Sequence, residues 1–288
     1  MRRPIVAMFA GAAALGIACA SFSADEGASP ATAPDASTDA VSSTDGAPPD
    51  AAPPTLDGGA PSALCSDPAA HDFCEDFDER ALSADGWVDG DKSAPDAGVA
   101  QLDMAQSKSP PSSLLVGLST VGFKTQRSFF LAQNLPKPSS KKTVLAFDLF
   151  VAALDGDDGG AQSDSLVVGL SDGAYGNQIR VANTGGQLRI GVEETILSPK
   201  GYFDPTYTFG GAHFAVNAWH HFELVTNRQT NLLVLTVDGI GSTPAAGTKY
   251  HVPPGASAPL GLSLGAQTDS AGETIRLYFD NVTVDIDR

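Results

Sequence analysis

Leu232-Leu233-Val234-Leu235-Thr236-Val237-Asp238 is the stretch that decides how this chain folds. Its apolar residues Leu233, Leu235 and Val237 fall at every second position, which gathers them on one face of an extended strand and scatters them around a helix. Gln187–Glu193 repeats the pattern, with Leu188, Ile190 and Val192 on one face and Gln187, Arg189 and Glu193 on the other. Working outward, further strands are expected at 72–78, 113–118, 125–132, 143–152, 164–170, 177–182, 218–226, 259–266 and 273–286. Gly, Asn, Asp and Pro punctuate them, and Asn183-Thr184-Gly185-Gly186 and Asn227–Asn231 read as hairpin turns. After residue 63 no long stretch carries the 3.6-residue period of a helix, and no fixed-period repeat points to a propeller or solenoid. About a dozen strands in about 225 residues predict one all-β domain, an antiparallel two-sheet sandwich with room for a substantial core.

The first sixty residues have another chemistry. Arg2 and Arg3 precede an uncharged, mostly apolar run from Pro4 to Ala24. Its most apolar part, Ile5 to Ala18, is about 14 residues, short for a membrane span and usual for a signal-peptide core. The run passes through Leu15-Gly16-Ile17-Ala18-Cys19, which resembles the lipobox of bacterial lipoproteins, with Gly16 where a Leu is usual. Residues 1–18 are therefore expected to be a lipoprotein signal peptide, and Cys19 the lipidated residue. An ordinary secretory signal cleaved near Ala20 or Ser23 is the alternative, and it also exports the chain. The resemblance implies a protein anchored by lipid to the cell envelope. Ala20 takes the place of the Asp that commonly retains such proteins at an inner membrane, so the outer membrane or cell surface is expected. From 19 to 62 the chain is nearly all Ala, Pro, Asp, Ser, Thr and Gly, with seven acidic residues and no Lys or Arg. Such a segment buries too little to offset chain entropy and is expected to be a disordered, extended tether to a domain at 63–288.

Export also frames the three cysteines. With Cys19 lipidated, Cys65 and Cys74 remain as a pair expected to form a disulfide in an oxidising compartment. A metal pair there lacks the second pair of ligands that a closed zinc site needs. The chain carries 34 acidic and 17 basic residues, a net charge of −17. Nucleic acid and anionic surfaces require a basic patch and are not expected partners.

Three segments in order resemble the concanavalin A-like lectin/glucanase superfamily, including laminin G-like domains. Phe73-Cys74-Glu75-Asp76-Phe77-Asp78-Glu79, followed by Trp87, resembles the opening strand of these jelly rolls. Ala218-Trp219-His220-His221-Phe222-Glu223-Leu224 and Leu233–Gly239 resemble the laminin G-like hairpin. Leu277-Tyr278-Phe279-Asp280-Asn281-Val282-Thr283-Val284 resembles the closing strand that pairs beside the first. The resemblance implies a jelly-roll sandwich with Trp87 and Trp219 at positions that are usually core.

The chemistry-bearing candidates follow. Family 16 glycoside hydrolases of this superfamily present Glu-x-Asp-x-Glu on one strand face, because retaining hydrolysis needs two carboxylates about 5 Å apart. Glu75–Glu79 is the nearest match, but Phe77 stands at its middle position; Glu193-Glu194 are adjacent and must diverge on a strand. Both sets are expected to be solvated or structural. Gly-x-Ser-x-Gly occurs at Gly169–Gly173 and Gly261–Gly265, neither followed by the helix that a nucleophile elbow requires. His220-His221 diverge and lack a third metal ligand; one is expected exposed and the other packed beside Trp219. Along the last strand Ile275, Leu277 and Phe279 keep one parity and Val282, Val284 and Ile286 the other, which predicts a bulge at Asp280-Asn281. By the resemblance Asp280 corresponds to the Asp that holds a structural Ca2+ in several superfamily members, with Asp76 or Asp78 as further ligands. Asp155–Gly160 is a second calcium candidate, but it lacks the ligand at position five and the closing Glu of an EF-hand loop, so a solvated turn is expected. For a ligand, Tyr202, Phe203, Tyr207 and Phe209 crowd a Gly- and Pro-containing loop at 198–212; aromatic planes stack on sugar rings, and the alternative is that these rings pin the loop onto the sandwich. These readings converge on a non-catalytic binding module for a glycan or a surface protein. A divergent polysaccharide hydrolase or lyase and a purely structural envelope protein are the alternatives.

Overall fold

The computed structural model describes residues 64–67, 69–78, 82, 86–92, 98–121, 127–138, 141–155, 163–172, 175–198, 201–203, 206–208, 213–230, 232–242, 259–268 and 272–288. The expected signal peptide, Cys19, the tether and the 156–160 part of the acidic loop lie outside them. All described residues belong to the second of two units, Gly58–Arg288.

Seventeen strands and no helix are found among the described residues. In chain order these are β1 (Phe73–Glu75), β2 (Val88–Lys92), β3 (Gly98–Asp103), β4 (Ser113–Ser119), β5 (Arg127–Asn134) and β6 (Lys142–Asp155). Then come β7 (Ser163–Ser171), β8 (Tyr175–Thr184), β9 (Gln187–Ser198), β10 (Gly201–Phe203), β11 (Thr206–Thr208) and β12 (Phe214–Ala215). The chain closes with β13 (Trp219–Asn227), β14 (Leu232–Val237), β15 (Ile240–Ser242), β16 (Gly261–Thr268) and β17 (Thr274–Ile286). They form two antiparallel sheets, a jelly-roll sandwich. The eight-stranded sheet runs β15-β14-β13-β6-β17-β4-β3, with β1 also paired to β17. The nine-stranded sheet runs β10-β9-β8-β7-β16-β5-β2, with β11 and β12 also paired to β9.

Alternation builds the core. Leu233, Leu235 and Val237 of β14 are buried while Leu232 is exposed, and His220, Phe222, Leu224 and Thr226 are the buried members of β13. The inward face of the eight-stranded sheet carries a row of fully buried rings, where Phe147 stacks on its neighbour Phe222 at 4.9 Å and Phe279 leans on Phe147 at 6.3 Å. Each such fully buried side chain stabilises by about 1.5–3 kcal/mol relative to exposure. Trp87 is in this core, and its indole N–H donates to Glu75 Oε2 at 3.2 Å.

The turns follow local chemistry. Gly185 and Gly186 (φ 62° and 81°) close the β8–β9 hairpin with the doubly left-handed backbone that a two-residue turn favours. Asp238-Gly239 (φ 51° and 76°) does the same between β14 and β15. The β17 pairing with β6 slips between Asp280 and Thr283, and Asn281 has φ 52°, so the bulge inferred from the change of phase is present. Cys65 and Cys74 are joined in a disulfide.

Two expectations are corrected. The 198–212 stretch is not wholly loop: β10 and β11 lie within it and extend the edge of the nine-stranded sheet along β9. Trp219 is not in the core. It lies half-buried beside a small cluster of Leu115, Phe150 and Tyr278, separate from the main core, because Trp219 has the opposite parity to Phe222 and Leu224.

Candidate functional site

Strands β13, β6 and β17 are neighbours, so opposed residues form rows across the outer face of the eight-stranded sheet. The first row is aromatic. Trp219, Phe150, Tyr278 and Leu115 stand side by side, with ring centroids 5.6 Å apart for Phe150–Trp219 and 5.9 Å for Phe150–Tyr278. Burial, with the nearby charge of Asp103 in support, raises the Tyr278 phenol above its ordinary pKa and keeps it neutral.

The next row is His221, Asp148 and Asp280. The Asp148 side chain is 7% exposed, and both of its oxygens are held. Oδ1 lies 3.0 Å from His221 Nδ1, and Oδ2 accepts from Asn281 Nδ2 at 2.7 Å. With Nδ1 turned to this carboxylate, the half-exposed His221 ring presents Nε2 outward. A third row places Glu223 opposite Ala146 and Ala146 opposite Thr283. In a fourth, Val144 faces Asp285, whose Oδ2 lies 3.1 Å from His71 Nδ1. Ala146 and Thr283 are small and their neighbours are large, which leaves a cavity of about 450 Å³ walled by His71, His221, Glu223 and Asp285. Leu64, just before the disulfide-closed turn Cys65–Cys74, and His71, within it, form one side of the cavity.

Asp280 lies at the edge of this site and is wholly buried. Its Oδ2 accepts from the Lys108 and Ser109 amides at 2.7 and 2.9 Å; its Oδ1 accepts from Ser109 Oγ and the Asn281 amide, each at 2.8 Å. Desolvation pushes its pKa up to about 6 against the pull of these donors. Asp76 accepts instead from the Asp78 amide, and Asp78 from the Ser112 amide. Among the described residues no three His, Cys, Asp or Glu are gathered as a metal's ligands. The trio inferred from the resemblance does not fit a cation: loop donors already occupy the lone pairs of Asp280 that a metal would need.

The other candidates fall in the sandwich as follows. Glu75 is a buried structural carboxylate, accepting from the Phe77 amide as well as from Trp87. Glu193 and Glu194 are buried, so the solvated alternative is corrected; Glu193 is ion-paired with Arg180. Ser263 Oγ donates to the Gly169 carbonyl within paired strands, with no elbow. His221 is the exposed histidine. His220 is buried, yet its neighbour is the Phe214 ring and not Trp219, and its nitrogens lie 2.7 Å from Asp238 Oδ2 and 2.8 Å from the Ala215 carbonyl. The backbones of Tyr202, Phe203 and Tyr207 lie opposite Leu197, Ile196 and Val192 of β9, away from the rows above; their side chains, and Phe209, lie outside the described residues.

The sequence does not mark Asp148, Glu223, His71 or Asp285 as site residues, and it marks Asn281 only as part of the bulge. One signal existed: Trp219, His221 and Glu223 occupy alternate positions of a recognisable strand, an outward polar and aromatic stripe. The His71–Asp285 contact joins residues 214 apart and left no local trace.

No family model and no curated protein matches the chain. Solved structures do. The endo-β-1,4-glucuronan lyase of the fungus Trichoderma reesei superposes with a TM-score of 0.54 at 12% identity, over 75% of this chain and 95% of that one. The cellulose induced protein Cip1 gives 0.48 at 13% identity over 74% and 96%. The Bacteroides ovatus mixed linkage glucan GH16 protein, in complex with its product, gives 0.48 at 12% over 74% and 99%. Together with the strand order, the likeness to the lyase shows a jelly-roll β-sandwich fold.

Proposed function

We propose that this chain is an exported, lipid-anchored envelope protein whose sandwich is a non-catalytic carbohydrate-binding module, with the sugar seated on the outer face of the eight-stranded sheet. The observation that carries this reading is the cavity of about 450 Å³, lined by imidazoles and carboxylates around an aliphatic floor of Val144 and Ala146. Sugar hydroxyls need donors and acceptors together, whereas their C–H faces need apolar contact. Trp219, one row along from His221, adds an aromatic ledge. The fungal lyase, whose name gives glucuronan as its substrate, has the same fold. Fold alone does not assign a ligand, so the argument rests on the cleft.

His221 favours a second reading. An imidazole oriented by a buried carboxylate, with Glu223 two positions along the same face, is an arrangement that can move protons. Both readings meet in one experiment, a glycan array probed with the purified protein, followed by product analysis on each bound polymer. Retention of a defined glycan without chain cleavage, weakened about tenfold in both Trp219→Ala and His221→Ala at unchanged melting temperature, is the expected result. Shortened polymer abolished by His221→Ala would replace the module with an enzyme. Retention of nothing would sink both.

A further inference from the structure

We infer that Asn281 decides which nitrogen of His221 carries the ring proton, and so makes Nε2 a hydrogen-bond acceptor where the ring meets the cleft. The inference rests on the carbohydrate reading above for what meets His221, and adds what that imidazole offers. It starts at the bulge of β17. Pairing with β6 runs from Asp280–Asp148 to Thr283–Ala146, so Asn281 and Val282 stand against Phe147 alone. Val282 turns into the core, and Asn281, at φ 52°, brings its side chain to Asp148 on the outer face. Asn and Gly take this left-handed backbone with least strain, and of the two only Asn can reach a neighbour.

Each end of the Asn281 amide is fixed by what it meets. Asp148 Oδ2 lies 2.7 Å from one end and Ser109 Oγ 2.9 Å from the other. A carboxylate only accepts, whereas a hydroxyl can donate or accept. The amide nitrogen therefore faces Asp148, because the reverse orientation would set two acceptor oxygens against each other, one of them charged. Ser109 closes the chain on the loop side. Its one hydroxyl hydrogen serves the Asn281 carbonyl and Asp280 Oδ1 at 2.8 Å, while its amide donates to Asp280 Oδ2 at 2.9 Å. With Oδ2 occupied, Asp148 turns Oδ1 to His221 Nδ1 at 3.0 Å, and an ionised oxygen requires that Nδ1 carry the hydrogen. In the neutral ring Nε2 then holds a lone pair, an acceptor for a ligand hydroxyl. The Asp148 side chain is 7% exposed and that of His221 53%, so the bond that sets the tautomer is shielded while the nitrogen it sets is accessible.

The test reads the tautomer directly and needs no glycan. In the whole protein carrying isotopically labelled histidine, nitrogen–proton correlation spectra at alkaline pH, where imidazoles are neutral, separate a protonated ring nitrogen from one with a lone pair. His71, whose Nδ1 faces Asp285 instead, is the internal reference. The unaltered protein is expected to show His221 in the Nδ1–H form. In Asp148→Asn the new carbonyl must face the Asn281 nitrogen, which turns the new N–H2 to His221 and moves the ring proton to Nε2. Adding Asn281→Asp reverses this: residue 281 then accepts, the amide at 148 turns over, and His221 returns to Nδ1–H. A merely structural role for Asn281 gives no such return. Should that double variant not fold, Asn281→Gly added to Asp148→Asn keeps the backbone at φ 52° and frees the amide at 148, so both forms of His221 are expected. An Nε2–H form in the unaltered protein would overturn the inference and leave the glycan module standing. So would an unchanged Nε2–H form in either double variant with His71 unmoved. The expected pattern of tautomers with no glycan retained on the array would overturn the module and leave the setting of His221.

Discussion

A methyl group added at Gly265 would sit 2.2 Å from the Phe129 carbonyl oxygen, 2.4 Å from the Phe130 ring and 2.7 Å from Phe130 Cα. Two of those neighbours are backbone atoms of the paired strand β5, which cannot move without breaking the ladder that joins Gly265 to Phe130. At Gly239 an added methyl would meet nothing within 4 Å, yet the residue has φ 76° in the β14–β15 turn. The two positions separate steric need from conformational need. Gly265→Ala is expected to destabilise by about 3 kcal/mol, the upper range for overpacking. Gly239→Ala should cost about 1 kcal/mol, the usual strain of a left-handed residue with a side chain. Urea unfolding measures both, read as midpoint shifts at constant slope. At this scale the sequence is least informative. Nothing in its local pattern marks Gly265 among 30 glycines, or marks Asp148 as the carboxylate that meets both His221 and Asn281. Those contacts exist only once β6 has been placed between β13 and β17.

The strands themselves were far more legible, for a physical reason. Wherever one strand face meets the core, the period of two is enforced by burial, and β4, β6, β8, β9, β13, β14, β16 and β17 all fall close to the expected places. The unanticipated strands are short or lack alternation. Val88-Asp89-Gly90-Asp91-Lys92 has a single apolar residue, and β10 and β11 are three residues each beside Gly and Pro, ordered by pairing with β9. The chain ends of the sandwich are joined by an element-level clasp that a pH titration reads directly. Asp72, just before β1, accepts from the Ile286 amide at 2.6 Å, from Lys137 at 2.8 Å and from Arg288 at 3.2 Å. Burial raises its pKa, but these bonds outweigh burial and hold the carboxyl below the ordinary Asp value. The folded state therefore binds this proton less readily than the unfolded chain. Its contribution is complete above about pH 4 and is lost as pH falls through the lowered value. Asp72→Asn should lose about 1 kcal/mol at pH 7, an amount modest because its cationic partners are partly solvated. The loss should shrink toward zero as pH falls through that lowered value; a penalty unchanged between neutral and strongly acidic pH would show that the clasp is not ionic.

For the whole molecule, the sequence carries two kinds of instruction that do not depend on each other. The sandwich is written in burial patterns that any aqueous compartment would read. The proposed address is written in a short apolar run and one cysteine, which exporting and lipidating enzymes would read. On this reading the domain needs the address only to be positioned, and the two can be separated by one substitution. Acylation at Cys19 would supply about 0.8 kcal/mol for each methylene buried in the bilayer, and two or more chains make such anchoring stable where one is marginal. Cys19→Ala removes the only acceptor in the Leu15–Cys19 stretch while leaving Cys65 and Cys74 to pair. In a bacterial host the unaltered chain is expected in the membrane fraction, released by detergent and not by salt, with a mass exceeding that of residues 19–288 by the acyl groups. The Cys19→Ala chain should be soluble outside the cytoplasm or retained as uncleaved precursor, with the melting temperature of its domain unchanged. If the unaltered chain is soluble and begins near Ala20 or Ser23, the anchor is wrong and the sandwich acts as a freely secreted module. The array experiment would then still report on the cleft, whose lining residues fall between Leu64 and Asp285.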